Sequence, residues 1–205
     1  MEDTWYKDGK RQFTKETVNE YFEKPPNYNR NEFRYLKEIL EKYDVRRMVE
    51  IGVFKGALTK FIMDNCQDIS SYYAIDPWRY SKSSDAKMNN YYAQLDNSQW
   101  DQAAIDVYQI MQEYPDRLSV IRLLSIDAMS LFPNEFFDCV FIDADHSYEG
   151  ALQDILIWSP KVKKRKLICG DDIDRMSVRN AVRVATKKAG IKYIERYKGY
   201  WIATV

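Results

Sequence analysis

Acidic side chains stand at the ends of five short apolar segments of this 205-residue chain, and each segment is typical of a β-strand. Ligands of open α/β sheets bind beyond the carboxyl ends of the strands, so these acids predict a binding site. Acids are also common at helix N-termini, where the helix dipole favours them, but that explains one or two cases better than five. In chain order the acids are Glu50, Asp76, Asp127, Asp143 and the pair Asp171 and Asp172.

The segment after the first strand distinguishes two kinds of nucleotide site. A nicotinamide-dependent oxidoreductase would carry the pattern Gly-x-Gly-x-x-Gly, which sets a helix N-terminus against a diphosphate. Here the pattern is Glu50-x-Gly52-x-x-x-Gly56, with two glycines and an acid that would repel a diphosphate. S-adenosylmethionine (SAM) carries an ammonium group and a sulfonium but no phosphate, so it suits this loop. Asp76, about 20 residues after Gly56, is placed to accept hydrogen bonds from both ribose hydroxyls.

Strand-like and helix-like segments alternate along most of the chain. The apolar, strand-like runs cover residues 45–51, 72–75, 118–123, 139–142 and 167–169. Helical periodicity separates these runs, which indicates a parallel sheet with helices on both faces. Residues 191–205 form two further strands about Lys198-Gly199. We therefore predict an α/β fold: a Rossmann-like, doubly wound, mostly parallel seven-stranded sheet with a C-terminal antiparallel hairpin strand.

One domain with an N-terminal addition is expected. Residues 1–28 are predicted to be a helical appendage whose helix ends before Pro25, since proline terminates helices. Residues 29–205 form the α/β domain. The polar, tyrosine-rich stretch 79–99 lies at the rim of the predicted cofactor site, where a lid insertion and a plain surface insertion are equally consistent. The appendage is a candidate contact for a homodimer.

The bulk composition disfavours several classes of partner. The 31 basic and 31 acidic residues give a formal net charge of zero, so no global basic field favours nucleic acid. No apolar run approaches the roughly 18 residues that a membrane span needs, and the polar N-terminus is not a secretory signal. The three cysteines lack metal-type spacing. We therefore expect a cytoplasmic protein without a nucleic-acid or membrane partner.

Three motifs resemble those of class I SAM-dependent methyltransferases. They are Val49-Glu50-Ile51-Gly52-Val53-Phe54-Lys55-Gly56, Ala74-Ile75-Asp76-Pro77-Trp78 and Phe141-Ile142-Asp143-Ala144-Asp145-His146-Ser147-Tyr148-Glu149-Gly150. The third motif looks most like the bacterial small-molecule group that includes sugar O-methyltransferases. The order of the motifs resembles, more distantly, catechol and caffeoyl-CoA O-methyltransferases. The resemblance spans residues 30–205 and is specific for SAM binding but not for the substrate.

The resemblance implies a cofactor role for several residues of these motifs. They are Glu50, Gly52 and Gly56 for the methionine end of SAM, Asp76 and Trp78 for the ribose, and Asp127 and Ala128 for the adenine. Relatives commonly carry a Gly-Gly turn before the fifth strand, where this chain has Lys163-Lys164-Arg165-Lys166. We expect this basic stretch to be a solvated turn.

The resemblance also implies a metal site. In metal-dependent relatives, one carboxylate after the fourth strand and a pair after the fifth bind a divalent cation, and Asp143, Asp171 and Asp172 occupy those places. Three convergent carboxylates repel one another unless a cation or protons intervene. Oxygen ligands suit Mg²⁺, Ca²⁺ or Mn²⁺ and not zinc. The alternative is that Asp171 or Asp172 only caps the next segment or bonds SAM.

His146, the only histidine of the chain, falls inside the third motif. With Asp143 it is the candidate for catalysis, because an imidazole near neutral pH can accept the proton of an acceptor hydroxyl. A structural histidine is the other interpretation.

The sequence thus predicts a SAM-dependent methyltransferase that O-methylates a small hydroxylated acceptor, a sugar or a phenol, with a divalent cation. One alternative is a metal-free N- or O-methyltransferase that uses His146 as its base. A second is a nicotinamide oxidoreductase, which the missing third glycine opposes. A third is a SAM-binding protein without turnover, which the three acids of the metal site oppose.

Overall fold

A seven-stranded sheet forms the centre of the protein. The structure is a computed structural model that describes residues 6–7, 10–11, 15–79 and 92–205. The predicted lid therefore lies largely outside the described residues, which do not include 80–91. Near the N-terminus, Tyr6–Lys7 and Lys10–Arg11 pair as a short antiparallel ribbon. Among the described helices, none has the length and apolar character that a membrane crossing requires.

The sheet combines five parallel strands with a C-terminal hairpin. The strands are β1 (Arg47–Ile51), β2 (Ser71–Ile75), β3 (Leu118–Ile121), β4 (Phe137–Ile142), β5 (Val162–Gly170), β6 (Lys192–Tyr197) and β7 (Tyr200–Thr204). Their order across the sheet is β3-β2-β1-β4-β5-β7-β6. Strands β1 to β5 pair in parallel, whereas β7 pairs antiparallel with both β5 and β6. The predicted fold class is confirmed.

Helices cover both faces of the sheet, because successive residues of a strand point to opposite sides. They are α1 (Lys15–Glu23), α2 (Asn31–Lys42), α3 (Ala57–Asn65), α4 (Asn97–Glu113), α5 (Ser125–Ala128), α6 (Tyr148–Trp158) and α7 (Met176–Ala189). Short 3₁₀ turns follow α5 and α6, at Met129–Leu131 and Ser159–Lys161. Met48 of β1 packs into the core beneath α1 to α4, and Val49 packs into the core beneath α5 to α7.

The helices that follow β1 and β4 lie on opposite faces of the sheet. Helix α3 follows β1 on one face and α6 follows β4 on the other, although β1 and β4 are hydrogen-bonded neighbours. A crevice opens at the carboxyl ends of neighbouring strands whose connections diverge in this way. The fold therefore puts its ligand crevice beside Gly52 and Asp143.

Helix α1 packs against the glycine-containing loop after β1. Val18 and Phe22 are buried in the same core as α2 to α4, and the Phe22 and Phe54 rings meet edge to face at 6.1 Å. Lys55 Nζ donates to the Phe22 carbonyl at 2.7 Å. The helix predicted at the N-terminus thus forms, and it contacts the loop that lines the crevice.

The basic stretch before Leu167 lies within β5, where the sequence indicated a turn, and its middle residues Lys164 and Arg165 are exposed to solvent as expected. The pairing of β4 with β5 passes from Phe137 opposite Val162 to Cys139 opposite Leu167, so residues 163–166 bulge out of the ladder. Lys163 Nζ donates to Asp138 Oδ1 at 2.8 Å. Lys163 and Lys166 hold the bulge in place, because each binds a neighbouring segment.

Candidate active site

A cavity of about 280 Å³ lies at the carboxyl ends of β1 to β4. Its polar lining consists of the four acids Asp76, Asp143, Asp145 and Asp154 together with Arg79, Ser125, His146 and Gln153. The apolar lining consists of Ile51, Phe54, Ile75, Pro77, Tyr92, Trp100, Leu124, Ile126 and Ala144. A cavity with this lining favours a ligand that is cationic in one part and flat or apolar in another.

Gly52 allows the ends of β1 and β4 to meet at the cavity floor. Its φ is +87°, and a Cβ at this position would stand 2.1 Å from the carbonyl oxygen of Asp143. The contact lets Asp143 N donate to Ile51 O at 2.8 Å, one residue beyond the last paired residue of β4, Ile142. Only glycine fits this close approach, so Gly52 sets the position of Asp143 as well as the shape of the loop.

Asp76 holds the glycine-containing loop together from the end of β2. Its Oδ2 accepts from Val53 N and Phe54 N, both at 2.9 Å, and its Oδ1 accepts from Trp78 N at 2.7 Å. Burial raises the pKa of Asp76, although these three backbone donors act in the opposite direction. The side chain also lines the cavity, so lone pairs that the loop does not use remain available to a ligand.

Three of the predicted cofactor residues lie behind the cavity wall. Trp78 is fully buried, and its Nε1 donates to Phe54 O at 2.7 Å. Gly56 is the N-cap of α3, and a Cβ there would meet the side chains of Ile110 and Val107 of α4. Glu50 is buried beneath the loop. These residues shape the lining without belonging to it.

Glu50 belongs to a closed polar cluster. Its Oε2 accepts from Thr59 Oγ1 at 2.5 Å and from Tyr72 Oη at 2.6 Å. Burial raises the pKa of Glu50 to about 8, and the two hydrogen bonds only partly counteract that effect. Glu50 therefore ties β1 to α3 and β2 under the cavity.

The segment after β3 contributes different residues from those predicted. Leu124, Ser125 and Ile126 line the cavity, whereas Asp127 and Ala128 do not. Ala128 is fully buried against the sheet. Helix α5 begins at Ser125, so the first turn of the helix, not its second half, faces the ligand space.

Asp154 is a cavity residue that the sequence reasoning missed. Helix α6 buries Ala151, Asp154, Ile155 and Trp158, and these positions form a single stripe at helical spacing. The sequence feature that could have identified Asp154 is an acid within an otherwise apolar helical stripe. Ser125 Oγ donates to Asp154 Oδ1 at 2.6 Å, and burial raises the pKa of Asp154 to about 6.

His146 joins two acids that follow different strands. Its Nε2 lies 3.0 Å from Asp143 Oδ1 and 2.9 Å from Asp172 Oδ2. Burial alone would lower the pKa of His146, but the two carboxylates outweigh it and raise the pKa to about 10. Burial would raise the pKa of Asp172, yet His146 and Arg175 lower it to about 2. Nε2 therefore lies between two carboxylates that favour the protonated form of the ring.

Asp171 stands apart from this cluster. Its Oδ1 accepts from Asp172 N at 2.7 Å, and its Oδ2 lies 3.6 Å from Arg30 Nη2. Burial, followed by the charge of Asp143, raises the pKa of Asp171. Of the three predicted metal ligands, the structure thus brings Asp143 and Asp172 together with His146, their ligand atoms within 4.8 Å of one another. Asp171 lies beside Arg30, the residue that precedes α2, instead.

This fold and this crevice are those of the Rossmann-like methyltransferases. Residues 49–173, more than half of the chain, match the sequence model of a family described as "Methyltransferase domain". The chain belongs to this methyltransferase-domain family, and the predicted class, a SAM-dependent methyltransferase, is confirmed. No curated protein matches the sequence.

Solved structures similar to this chain share its fold. An O-methyltransferase from Bacillus cereus in complex with SAH is 16% identical, with 93% of this chain and 90% of that chain covered and a TM-score of 0.56. TomG from Streptomyces achromogenes, an O-methyltransferase involved in tomaymycin synthesis and solved with SAM, is 15% identical. The match covers 93% of this chain and 87% of TomG, with a TM-score of 0.58. Cofactor-bound Rv0187 from MTB is 18% identical. The match covers 93% of this chain and 87% of Rv0187, with a TM-score of 0.57.

Proposed function

We propose that this chain transfers the methyl group of SAM to a hydroxyl oxygen of a small acceptor, with a divalent cation beside the transfer site. The observation that carries the proposal is the Asp143–His146–Asp172 cluster, of which Asp143 and His146 line the acidic cavity. SAM supplies a methyl group on a positively charged sulfur, which the acceptor oxygen attacks in line. The protein holds both reactants in that line and excludes water, an effect worth roughly several kcal/mol.

The charge of the cavity supports a sulfonium cofactor over a dinucleotide. Asp76, Asp143, Asp145 and Asp154 all line it, and carboxylates attract an ammonium or sulfonium group and repel a diphosphate. Asp76 is the proposed acceptor for the ribose hydroxyls, and Gly52 admits the methionine end close to the backbone. The proposed contribution of the remaining predicted cofactor residues is to shape this lining; they are Glu50, Gly56, Trp78, Asp127 and Ala128.

The donor set next to the cavity fits a divalent cation. Two carboxylates and an imidazole nitrogen already lie within 4.8 Å of one another. Asp143 and Asp172 are the proposed ligands, and Asp171 would join them only on leaving Arg30. A cation held there would lower the pKa of an acceptor hydroxyl. Carboxylate ligands favour Mg²⁺, Ca²⁺ or Mn²⁺.

The arrangement of His146 gives little support to the alternative in which it acts as a free base. Its Nε2 faces Asp143 and Asp172, which favour the protonated form of the ring. Its Nδ1 is buried and has no hydrogen-bond partner among the described residues. The role that we propose for His146 is to keep the two carboxylates in place next to the acceptor.

An aromatic wall supports a small acceptor with a ring. Phe54, Tyr92 and Trp100 line the cavity, with Tyr92 and Trp100 stacked at 5.8 Å. Such a wall suits the face of a phenol or the apolar face of a sugar. We therefore propose a phenolic or sugar hydroxyl as the methyl acceptor.

Methyl transfer to a panel of catechols, phenols and sugars tests the proposal. The assay follows S-adenosylhomocysteine (SAH) release by the wild type and by Asp172→Asn, with EDTA and with added Mg²⁺ or Mn²⁺. We expect acceptor-dependent release that EDTA removes and cation restores, and a substantially higher cation requirement in Asp172→Asn, because one carboxylate ligand is lost.

Asp174→Asn is the matched control, since Asp174 lies two residues away and pairs instead with Arg179 and Arg196. It should keep the wild-type cation requirement. Turnover that EDTA does not affect would refute the cation and return the choice to a metal-free mechanism. Asp171→Asn, measured in parallel, reports whether the third acid is a ligand.

A further inference from the structure

Arg30 and Asp171 form a loose ion pair beside the proposed cation site. Arg30 Nη2 lies 3.6 Å from Asp171 Oδ2, which is too long for a hydrogen bond. Asp171 Oδ1 already accepts from Asp172 N at 2.7 Å, and Gly199 is so close that a Cβ there would lie 2.6 Å from this oxygen. Oδ2 is therefore the oxygen through which Asp171 could bind a cation, and Arg30 faces it.

Contacts on α2 and on the C-terminal hairpin hold Arg30 near Asp171. Arg30 is the N-cap residue of α2, and its side chain makes no capping hydrogen bond. Its guanidinium lies 5.0 Å from the centre of the Phe33 ring, and its Nε lies 4.0 Å from Glu32 Oε2. Glu32 pairs in turn with Lys198, in the turn between β6 and β7, at 3.3 Å. The guanidinium is thus available to Asp171 without any cost to the start of the helix.

The number of carboxylate ligands determines how much charge a bound cation retains. Asp143 and Asp172, as ligands, balance the charge of a divalent cation, and a third carboxylate would make the site negative. A cation that retains more of its charge lowers the pKa of an acceptor hydroxyl more strongly. Burial and then the charge of Asp143 raise the pKa of Asp171, so Asp171 is within electrostatic reach of the other two acids. Whether it joins them therefore matters for the reaction.

We propose that Arg30 is a positioning residue that keeps Asp171 away from the cation, so that two carboxylates hold the cation and not three. The inference rests on the cation of the proposed function. Arg30 neutralises Asp171 in place of the cation, which lowers the affinity of the site for the cation but strengthens the effect of the cation on the acceptor hydroxyl. Without Arg30, Asp171 Oδ2 is free to turn to the cation, and the cation should bind more tightly.

Binding of Mn²⁺ at pH 7.5, without cofactor or acceptor, tests the proposal, with free Mn²⁺ measured by its electron paramagnetic resonance signal. Arg30→Met, whose side chain can still pack on Phe33, should bind Mn²⁺ about fivefold more tightly than the wild type, the change that corresponds to a lost ion pair between partly exposed groups. Arg30→Lys keeps the positive charge and should stay close to the wild-type affinity. Asp171→Asn should also stay close to it, because Asp171 is not a ligand while Arg30 is present.

The double variant Arg30→Met/Asp171→Asn shows whether Arg30 acts through Asp171. The gain in affinity from Arg30→Met should disappear in the Asp171→Asn background, because the two residues act as one unit. Arg34→Met is the matched control: it removes an exposed positive charge about one turn further along α2 and should leave the affinity for Mn²⁺ unchanged.

Three results would overturn the proposal while leaving the cation of the proposed function intact. The first is an affinity for Mn²⁺ that Arg30→Met does not raise. The second is an equal gain from Arg30→Met in the Asp171→Asn background, since Arg30 would then act by its charge alone. The third is a large loss of affinity in Asp171→Asn, which would make Asp171 a ligand of the wild type. If neither the wild type nor any variant binds Mn²⁺, the proposed cation itself fails, and this inference fails with it.

Discussion

Glu50 is an acid whose burial is incompatible with a full charge at neutral pH. Its pKa of about 8 means that the folded protein prefers the protonated form. Stability from Glu50 is therefore complete below the unfolded pKa of about 4.3 and is lost as the pH rises towards 8. In Glu50→Gln this loss should be absent. The free energy of unfolding of the variant, relative to that of the wild type, should therefore increase from pH 5 to pH 8.

Urea unfolding of the two proteins at several pH values measures this difference. Other acids with raised pKa values, Asp154 among them, are present in both proteins and cancel. A difference that stays constant from pH 5 to pH 8 would show that Glu50 is ionised in the folded protein.

Gly52 fixes the distance between β1 and β4 at the cavity floor. Gly52→Ala should destabilise the protein by at least about 2 kcal/mol, since it adds backbone strain to a clash with the Asp143 carbonyl. It should also weaken SAH binding, because the loop that lines the cavity must shift. Gly190→Ala is the matched control: its φ is +67° with nothing within 4 Å of a Cβ. It should cost only about 1 kcal/mol and leave SAH affinity unchanged, and equal losses in the two variants would contradict the role of the contact.

Asp138 joins three elements at the amino-terminal edge of the sheet. Its Oδ2 accepts from Arg46 N at 3.0 Å and Arg47 N at 2.9 Å, and Lys163 Nζ reaches Oδ1. Burial alone would raise the pKa of Asp138, but these donors lower it. Its stabilisation is thus present above the unfolded pKa of about 3.9 and is lost as the pH falls through the lower folded value.

Asp138→Asn should therefore be less stable than the wild type by about 1–2 kcal/mol at pH 7, and the gap should close below pH 4. Thermal unfolding between pH 3 and pH 7 measures it. A gap that does not narrow between pH 7 and pH 3 would assign the loss to packing and not to charge.

At the level of elements, local sequence patterns predict where the strands lie better than they predict irregularities within a strand. The apolar run before Asp143 is a strand because it is buried on both faces, and β4 is buried along its whole length. The bulge at Lys163 and Lys166 was not predictable, since it depends on partners far away in sequence. Lys166 Nζ, for example, donates to the carbonyl of Tyr43 at 2.6 Å.

At the level of the whole molecule, alternation of strands and helices was enough to predict the doubly wound sheet and the acids at its edge. The sheet order brings Asp76 and Asp143 to one cavity, as the strand-end rule requires. The contribution of Asp154 could not be located in the same way, because it depends on how α6 packs across the cavity. The separation of Asp171 from Asp172 likewise follows from Arg30, which no local pattern connects to them.

The central claim, that the acidic cavity binds the SAM skeleton, is tested most directly by thermal unfolding of the wild type with SAH, with NAD⁺ as the comparison ligand. At 100 times its dissociation constant SAH should stabilise the fold by about 2.7 kcal/mol, which raises the melting temperature by roughly 5–10 °C for a chain of this size. We predict that rise with SAH and none with NAD⁺. No rise with SAH, or a rise with NAD⁺ alone, would contradict the account.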